Sequence, residues 1–375
     1  MEALQLLTGD AQSFVDKVWA SHIHVHHTDP EDLVGLLSLD DVDHLLTSTA
    51  PRTPTIRVAK DGQVLATARF TRTGSLSGQQ LTGLVDGRKV LDLFDDGATV
   101  VLQGLHRYWP ALSTLVRELE LVLGHPCQAN AYLTPPGSQG FAVHSDSHDV
   151  FVLQTYGTKM WEVPAGAGTR EVLLEPGVSM YLPTGTPHSA RAQDTASLHV
   201  TIGIHPLTWR DLLRRVADEV LKDEEYDGRL PAGYLDDTSS LVDRLEGHLR
   251  SLGGKLVDQN AETVADEQRV RFLSNRNPLL RGGLRDRLGV AGIADDTLLL
   301  RRSGSPCVLR PSGDRLRVLL GDREIDMPHR LIEAMRFVGD RTELRPTDLA
   351  PWLDHESRLV LTRRLVREGL LRIAD

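Results

Sequence analysis

The sequence predicts a mainly β core, followed by a helical region and then by a C-terminal winged helix. Between about residues 98 and 205, short strand-like runs alternate with Gly, Pro and Thr turns. Short strands at this spacing are typical of a sandwich or barrel rather than of a βαβ sheet. After His205-Pro206 the apolar residues recur at helical spacing. From about residue 286, a hairpin-like stretch, helices and a final strand suggest the winged helix.

Local patterns predict where individual helices begin and end. Four leucines between residues 112 and 123 recur at helical spacing, so one helix interrupts the strands of the core and ends at Gly124. Thr208 is a suitable N-cap for the first helix after the core. The stretch DTSSLVDRLEGHLRSLGG predicts a second helix there, which stops at Gly253-Gly254.

Composition limits the class of protein. A chain of 375 residues with 40% hydrophobic and 25% charged residues indicates an ordinary soluble protein of two or three domains. It has no apolar run of about 20 residues and no secretion signal, so we expect neither a membrane span nor export. Cys127 and Cys307 are too few for a disulfide framework, which favours the cytoplasm. The net charge of -10 argues against wholesale binding of nucleic acid.

The stretch HSDSHDVFVLQTYGTKMWEV carries the strongest chemical signal. If its beginning is a strand, His144 and Asp146 share one face, because side chains alternate along a strand. His188, 44 positions after His144 (188 − 144), follows a Pro-Gly turn in LEPGVSMYLPTGTPHSA and is the best third ligand. Two histidines and one carboxylate on one side of a metal are the facial triad of non-haem Fe(II) oxygenases, which leaves positions open for co-substrate and O₂.

Other interpretations of these histidines remain open. His144 and Asp146 could be a surface salt-bridged pair, and His188 an ordinary turn residue. The run HIHVHH could mimic a metal site with His22, His24, His26 and His27, but it has no nearby carboxylate–histidine pairing or turn architecture, and we expect an ordinary strand surface. His148 and Asp149 are out of phase with the pair before them, so we expect them to orient the loop or contact substrate.

Three stretches resemble a known family. HSDSHDVFVLQTYGTKMW, LEPGVSMYLPTGTPH and NAYLTPPGSQG look like the JmjC-type, cupin-fold ribosomal oxygenases, which are Fe(II)- and 2-oxoglutarate-dependent protein hydroxylases. The close matches cover about residues 130–204. The resemblance implies a JmjC/cupin catalytic domain with a double-stranded β-helix over residues 1–205. It further implies a helical dimerisation region over 206–285 and a winged-helix-like domain over 286–375.

The resemblance also implies a role for individual residues. His144, Asp146 and His188 would bind iron. Lys159, two positions before the tryptophan of a G-x-(K/R)-x-W stretch, would pair with the distal carboxylate of 2-oxoglutarate. Asn130 and Tyr132 would line the co-substrate and substrate pocket, and His199, on the strand after the third ligand, would face the pocket or the core.

Two features of the sequence bear on the pocket. Lys159 could instead be a surface lysine beside a hairpin turn at Gly157-Thr158. The interval between the HxD pair and His188 is shorter than is usual in the family, so a loop or strand pair over the pocket is trimmed. That interval helps to shape the substrate cleft in relatives, and substrate identity is therefore the least transferable inference.

The sequence thus favours an Fe(II)- and 2-oxoglutarate-dependent dioxygenase that uses O₂ to hydroxylate a protein side chain, an arginine or histidine of a ribosomal protein. The alternatives are a hydroxylase of a peptide natural product or amino acid, a non-oxidative metal-binding cupin, and a ligand-sensing DNA-binding regulator. Lys159 discriminates among them, since a non-oxidative cupin needs no cation for a keto acid.

Two surfaces predict partners. The apolar stripes of region 206–285 exceed what a helical hairpin can bury alone, so we expect a homodimer. The C-terminal stretch ESRLVLTRRLVREGLLR is rich in arginine and could contact nucleic acid or the ribosome. The alternative is a solvated face whose arginines pair with acidic residues of the chain. The basic residues in question are Arg358, Arg363, Arg364, Arg367 and Arg372.

Overall fold

A computed structural model describes residues 2–138 and 143–374 of the chain. These residues form two compact units. The first runs to Pro206 and also includes residues 279–285 and 302–305, and the second contains the remainder. No helix of the described residues is both long enough and apolar enough to cross a membrane.

The first unit is rich in β-structure, as predicted, with helices mainly before and between its strands. Its strands are β1 (His24–His27), β2 (Ile56–Lys60), β3 (Gln63–Val64), β4 (Thr71–Leu76), β5 (Gln79–Val85), β6 (Thr99–Leu102), β7 (Cys127–Thr134), β8 (Asp149–Tyr156), β9 (Lys159–Ala165), β10 (Gly168–Leu174), β11 (Val178–Leu182), β12 (Ser189–Ala192) and β13 (Ser197–Ile204). Its helices are α1 (Glu2–Thr8), α2 (Ala11–Lys17), α3 (Pro30–Val34), α4 (Leu39–Thr47), α5 (Gly87–Asp95) and α6 (Pro110–Leu123). As expected, α6 ends at Gly124, which adopts the left-handed conformation with φ 71°.

Two antiparallel sheets pack face to face in this unit. The larger sheet has eight strands in the order β1-β11-β8-β13-β7-β6-β2-β3, and the smaller has the order β10-β9-β12. Val152 of β8 and Met180 of β11 pack against Trp161 and Val163 of β9 in one buried cluster. These apolar side chains of β8, β9 and β11 therefore border one side of the space between the two sheets.

The opposite face of the larger sheet packs against the helices. Phe14 of α2 is 1% exposed and lies against Phe151 and Tyr181 of the sheet, with ring centroids 5.5 and 4.9 Å away. Burial of one such side chain contributes roughly 1.5–3 kcal/mol. Strand β8 is buried at every residue except its last, because it is covered on both faces. A strand held in this way is a rigid support for the residues at its two ends.

The turn between β8 and β9 depends on a glycine. Gly157 has φ +61°, and a Cβ at this position would lie 1.8 Å from the carbonyl oxygen of Ala196. Only glycine fits this backbone and this close approach. The turn brings the chain back so that β9 begins at Lys159.

The second unit begins with three helices, α7 (Trp209–Val220), α8 (Ser239–Val257) and α9 (Ala261–Ser274). Thr208 caps α7 as predicted, in a capping box with Asp211. The predicted stop at Gly253-Gly254 is wrong, because α8 continues to Val257. Glycine in a helix costs about 1 kcal/mol each, and the intact hydrogen-bond ladder on both sides of the pair outweighs that cost.

The remainder of the second unit has its own apolar core. Helix α10 (Gly283–Gly289) begins in the part of the chain assigned to the first unit and ends in the second. The other elements of the second unit are β14 (Leu299–Arg301), β15 (Val308–Ser312), β16 (Arg315–Leu319), β17 (Glu324–Pro328), α11 (Ile332–Asp340), β18 (Glu343–Leu344), α12 (His355–Arg367) and β19 (Leu371–Ile373). The strands form two sheets, β18-β14-β19 and β15-β16-β17. Met335 of α11, Leu365 of α12 and Leu299 of β14 are fully buried in one cluster.

Several arginines of the basic C-terminal stretch are engaged within this unit. Arg358 pairs with Asp295, Arg364 lies 3.6 Å from Glu368, and Arg363 donates to the carbonyl of Ile293 at 2.8 Å. These contacts favour the interpretation in which the basic face is balanced by groups of the chain itself.

Candidate active site

A cavity of about 270 Å³ lies between the two sheets of the first unit. That volume is close to the lower end of the range for small-molecule sites. Its walls combine apolar residues of β8 and β9 with polar and charged side chains. The titratable ones are Arg57, Tyr132, His144, Asp146, Lys159, His188 and His199.

The three predicted ligands lie together at this cavity. One ligand atom from each of His144, Asp146 and His188 lies within 4.8 Å of the others. Nε2 of His188 is 3.6 Å from Oδ2 of Asp146, and the two imidazole ring centroids are 4.4 Å apart. His188 is 6% exposed, whereas His144 is exposed and Asp146 is partly exposed. The group could hold one divalent ion while one of its sides faces outward.

The local structure that creates this group differs from the predicted one. His144 and Asp146 do not lie on a strand, because β8 begins only at Asp149. A two-residue backbone bridge joins His144 to His188, with N–O distances of 3.1 and 2.9 Å. The Pro176-Gly177 turn leads into β11, so His188 follows that strand and not the turn itself. The bridge, rather than strand alternation, brings the histidines together.

Hydrogen bonding prepares His188 as a ligand. Its Nδ1 lies 2.9 Å from the carbonyl oxygen of Thr186, an oxygen that only accepts. Nδ1 must therefore carry the proton, which leaves the lone pair of Nε2 facing Asp146 and the cavity. Burial lowers the pKa of His188, so the neutral form that binds metals is favoured.

Asp149 fastens the loop that carries His188. Its buried carboxylate accepts hydrogen bonds from the Tyr181 hydroxyl at 2.6 Å and from the Thr184 backbone N–H and hydroxyl at 2.7 and 2.6 Å. This confirms the expectation that Asp149 orients a loop. His148, its neighbour, stacks on His205 with ring centroids 4.9 Å apart.

Lys159 lies at the buried end of the cavity. It is 3% exposed, so the alternative of a surface lysine is wrong. Its Nζ donates to the Thr134 hydroxyl at 3.0 Å, and the Thr99 hydroxyl donates to the same oxygen at 3.2 Å. No carboxylate of the described residues pairs with the amine, and burial lowers the pKa of Lys159 to about 7. A buried amine without a counter-charge is costly unless a ligand supplies one.

Aromatic rings occupy the space between the two ends. Tyr132 of β7 stacks on His199 of β13 with centroids 5.0 Å apart and an angle of 5° between the rings. Burial raises the pKa of Tyr132, and it holds the pKa of His199 well below its usual range. Nδ1 of His199 has no hydrogen-bond partner within residues 2–138 and 143–374. A neutral, partly unsatisfied imidazole of this kind can bind a polar ligand atom.

Asn130 lies on the same strand as Tyr132 but does not line the cavity. Its side-chain oxygen accepts a hydrogen bond from the Gly104 backbone at 2.9 Å. The structure thus places it beside the cavity wall, where it fixes a turn. The last two residues of the motif NAYLTPPGSQG lie outside the described residues.

Other residues that line the cavity are not predicted as site residues by the sequence. Arg57, Thr99 and Thr201 come from strands β2, β6 and β13, and none of these stands in a recognisable motif. Trp161 was present in the quoted motif and could have been identified from it. Its ring lies 5.7 Å from that of His188 and 5.5 Å from that of His199, so it packs between the two.

Comparison with known proteins bears on this site. Residues 106–169 and 164–212 match the family described as the JmjC domain. The bifunctional lysine-specific demethylase and histidyl-hydroxylase NO66 of Branchiostoma floridae is 32% identical over 70% of this chain and 46% of its own. Ribosomal oxygenase 2 of Mus musculus is 29% identical over 54% of this chain and 51% of its own. The chain thus spans about half the length of the curated relatives that it matches.

Solved structures show the same fold over nearly the whole chain. The crystal structure of the Escherichia coli ribosomal oxygenase YcfD matches with a TM-score of 0.56 at 20% identity and covers 98% of this chain and 99% of its own. YcfD has also been solved in complex with cobalt and 2-oxoglutarate, and that structure matches with a TM-score of 0.54. The resemblance found in the sequence is therefore confirmed: the chain carries a JmjC domain and is related to the ribosomal oxygenases.

Proposed function

We propose that this protein is an Fe(II)- and 2-oxoglutarate-dependent dioxygenase that hydroxylates an arginine or histidine side chain of a ribosomal protein. One observation carries the proposal: a three-ligand group and a buried lysine without a carboxylate partner lie in a single cavity. A divalent metal and a dicarboxylate are the two ligands that such a cavity would bind. The names of the relatives support the choice of a ribosomal target.

His144, Asp146 and His188 would hold the iron. Two imidazoles and one carboxylate suit Fe(II), and three protein ligands leave coordination positions for other molecules. The buried Nδ1 contact of His188 keeps its ligating nitrogen unprotonated. The partial exposure of Asp146 and the exposure of His144 leave a path by which the ion and its other ligands enter.

Lys159 would bind the distal carboxylate of 2-oxoglutarate. An ammonium–carboxylate pair in a buried site is stronger than the same pair in water. Thr134 receives hydrogen bonds from Lys159 and Thr99, which fixes the amine in one position. We assign Tyr132 and His199 to the wall that contacts the co-substrate and substrate, and Asn130 to the support of that wall.

Iron(II), 2-oxoglutarate and O₂ together supply the oxidising power that inserts one oxygen atom into an unactivated C–H bond. The chain's own contribution is geometric. Lys159 and the three ligands would hold the two ends of the co-substrate, and the buried strand β8 fixes the separation of the segments that carry them. Trp161, Val150 and Val152 line the cavity and would exclude water from the space between those ends.

We further propose three functional segments: a catalytic domain over residues 1–205, a helical dimerisation region over 206–285 and a winged-helix-like domain over 286–375. The division of the chain after Pro206 supports the first boundary. No residue of α8 is buried, and Val242, Leu245 and Leu249 on it are each about half exposed, which supports a partner for that helix. We place the protein in the cytoplasm, where ribosomes are found.

Release of succinate from 2-oxoglutarate in the presence of Fe(II) tests the proposal. At a low concentration of 2-oxoglutarate we expect release by the wild type and its loss in His144→Ala and Lys159→Ala, and a high concentration should restore release only in Lys159→Ala. Lys60→Ala is the matched control, because Lys60 is a lysine outside the cavity that pairs with Asp96. Equal release by all four proteins would refute the site. A mass increase of one oxygen atom in a ribosomal protein, seen only in cells that carry the gene, tests the target.

A further inference from the structure

Arg57 is a second cation of the cavity, and neither the metal ligands nor Lys159 explains it. Arg57 lies on β2, directly opposite Val101 of β6. The same cross-strand row continues through Tyr132 of β7 to His199 of β13. Residues directly opposite one another in antiparallel strands point to the same face of the sheet. The side chain of Arg57 is thus directed to the face that carries Tyr132 and His199, and it lines the cavity.

Arg57 has no acidic partner within residues 2–138 and 143–374. Its Nε is buried without a hydrogen-bond acceptor. The chain has 52 acidic residues against 42 lysines and arginines, so carboxylates are plentiful. Arginines elsewhere find them: Arg191 pairs with Glu171 and Arg315 with Asp326. A guanidinium left unpaired at a cavity wall is unfavourable without a ligand, which marks it as a binding residue.

Arg57 and Lys159 serve different parts of the cavity. Lys159 contacts Thr134, which lies two residues beyond Tyr132 on β7, or roughly 7 Å along the strand. Arg57 lies in the same cross-strand row as Tyr132 itself. The metal ligands lie toward the start of β8, where Asp149 is opposite Ile204 of β13 and Ile204 is opposite Cys127 of β7. The backbone of Arg57 is therefore one step closer along the sheet to the metal-ligand end than Thr134, which contacts the buried amine.

We propose that Arg57 is a specificity-determining residue whose guanidinium binds an uncharged acceptor group of the target residue and excludes lysine and arginine side chains. This inference rests on the proposed function and narrows its target. The negative charges of 2-oxoglutarate would be matched by Lys159 and by the metal with Asp146, so the charge of Arg57 stays uncompensated. A cationic target would add a like charge at short range, whereas an imidazole or carboxamide accepts a hydrogen bond.

The test uses ribosomes purified from cells that lack the gene. Wild type, Arg57→Lys, Arg57→Gln and Arg57→Glu are each incubated with them, and oxidised residues are located and timed by peptide mass spectrometry. Arg72→Gln is the matched control, because Arg72 is an exposed arginine on β4. Thermal melts of all five proteins identify any variant that fails to fold. In parallel, calorimetry measures the affinity of each, and of Lys159→Ala as the reference for a lost co-substrate contact, for N-oxalylglycine, a non-reactive analogue of 2-oxoglutarate, in the presence of Co(II).

We expect the wild type and Arg72→Gln to oxidise the same uncharged residue. Arg57→Gln and Arg57→Glu should slow that oxidation by about tenfold or more, and Arg57→Lys, which keeps the charge but not the planar fork, should fall between. The affinity for N-oxalylglycine should change far less in the Arg57 variants than in Lys159→Ala. Oxidation of a lysine or arginine by the wild type, or wild-type rates in Arg57→Glu, would overturn the inference.

Two other results separate this inference from the function on which it rests. An Arg57→Gln variant that loses N-oxalylglycine as strongly as Lys159→Ala would make Arg57 a co-substrate residue and would overturn the inference alone. A wild-type protein that releases no succinate, or oxidises no ribosomal residue, would contradict the proposed function and this inference together.

Discussion

The two ends of the cavity are built in opposite ways. At one end the ligands come from irregular segments, and His144 is exposed while Asp146 is partly exposed. At the other end Lys159, Thr134 and Thr99 belong to three strands and are 3%, 0% and 5% exposed. The first end is held by one backbone bridge and a fastened loop, and the second by the sheets themselves.

This difference corresponds to two tasks. Groups that must exchange with solvent, such as a metal and the molecules that bind to it, need an accessible set of ligands. A carboxylate that is recognised by a single charge needs a partner that is buried away from water and held in one position. Changes at the accessible end should therefore abolish the chemistry, and changes at the buried end should alter affinity and stability.

The largest effect is expected at the accessible end. His188→Ala removes the ligand with the best-defined ligating nitrogen, so the protein should lose bound metal and turnover should fall by about 1,000-fold or more. Metal content after dialysis and succinate release measure the two quantities. Retention of metal and activity would show that the three residues do not form the metal site.

At the buried end, Lys159→Met should weaken binding of N-oxalylglycine by about 10- to 150-fold, the value of a hydrogen bond to a charged group. The same change should raise the melting temperature of the ligand-free protein, because it replaces a buried unpaired amine with an apolar side chain of similar length. Calorimetry and thermal unfolding test both effects. A lower melting temperature would mean that the hydrogen bond from the amine to Thr134 outweighs the cost of burying the amine.

The pKa of about 7 predicts a pH dependence that belongs to the buried end alone. The ligand requires the charged amine, which the free protein loses as the pH rises through 7, so affinity should fall by up to about tenfold for each pH unit above it. Binding above pH 7 should take up a proton, which calorimetry in two buffers of different ionisation enthalpy detects. Lys159→Arg should remove this dependence, since arginine stays protonated. If affinity fell with pH equally in the wild type and in Lys159→Arg, Lys159 would be excluded as the titrating group.

Asp149 links the two ends, because it starts β8 and fastens the loop before His188. Asp149→Asn should destabilise the protein by about 1–3 kcal/mol, since the amide replaces one of the two accepting oxygens with an NH₂ donor, which then faces the donors of either Tyr181 or Thr184. Metal affinity should fall by less than in the His188 variant. Denaturant unfolding measures the stability, and metal titration measures the metal affinity. Unchanged metal affinity with lowered stability would confine the role of Asp149 to the fold.

The smallest effect on turnover is expected outside the cavity. Leu245→Glu combined with Leu249→Glu places charges on the exposed apolar face of α8, and it should convert a dimer to a monomer with little change in succinate release. Sedimentation measures the mass. A wild-type protein that sediments as a monomer would remove the basis of the dimer proposal.

Much of the chemistry was predictable from the sequence because it depends on residue type and spacing. The HxD pair lies just before β8, the later histidine just before β12, and the lysine is the first residue of β9. Each is therefore next in sequence to the strand that positions it. The apolar run between His144 and Lys159 identified β8 as a wall. The local conformation at His144 was not predictable, since its bridge to His188 depends on a residue 44 positions away (188 − 144).

Arg57 and Thr99 show what sequence patterns do not contain. Each is a polar residue in an otherwise ordinary strand, and its position in the cavity depends on which strands become neighbours in the larger sheet. The error at Gly253-Gly254 has a different origin. Local propensity predicted an end there, while the helix continues because hydrogen bonds on both sides of the pair are kept.

The visible charge-transfer absorption of a keto acid chelated to iron(II), recorded without oxygen, tests both ends of the cavity at once. The wild type should show this absorption at low 2-oxoglutarate concentration, and Lys159→Met should reach the same intensity only at about 10- to 150-fold higher concentration. His188→Ala should show none at any concentration. Equal absorption in all three proteins at equal concentrations would contradict the site.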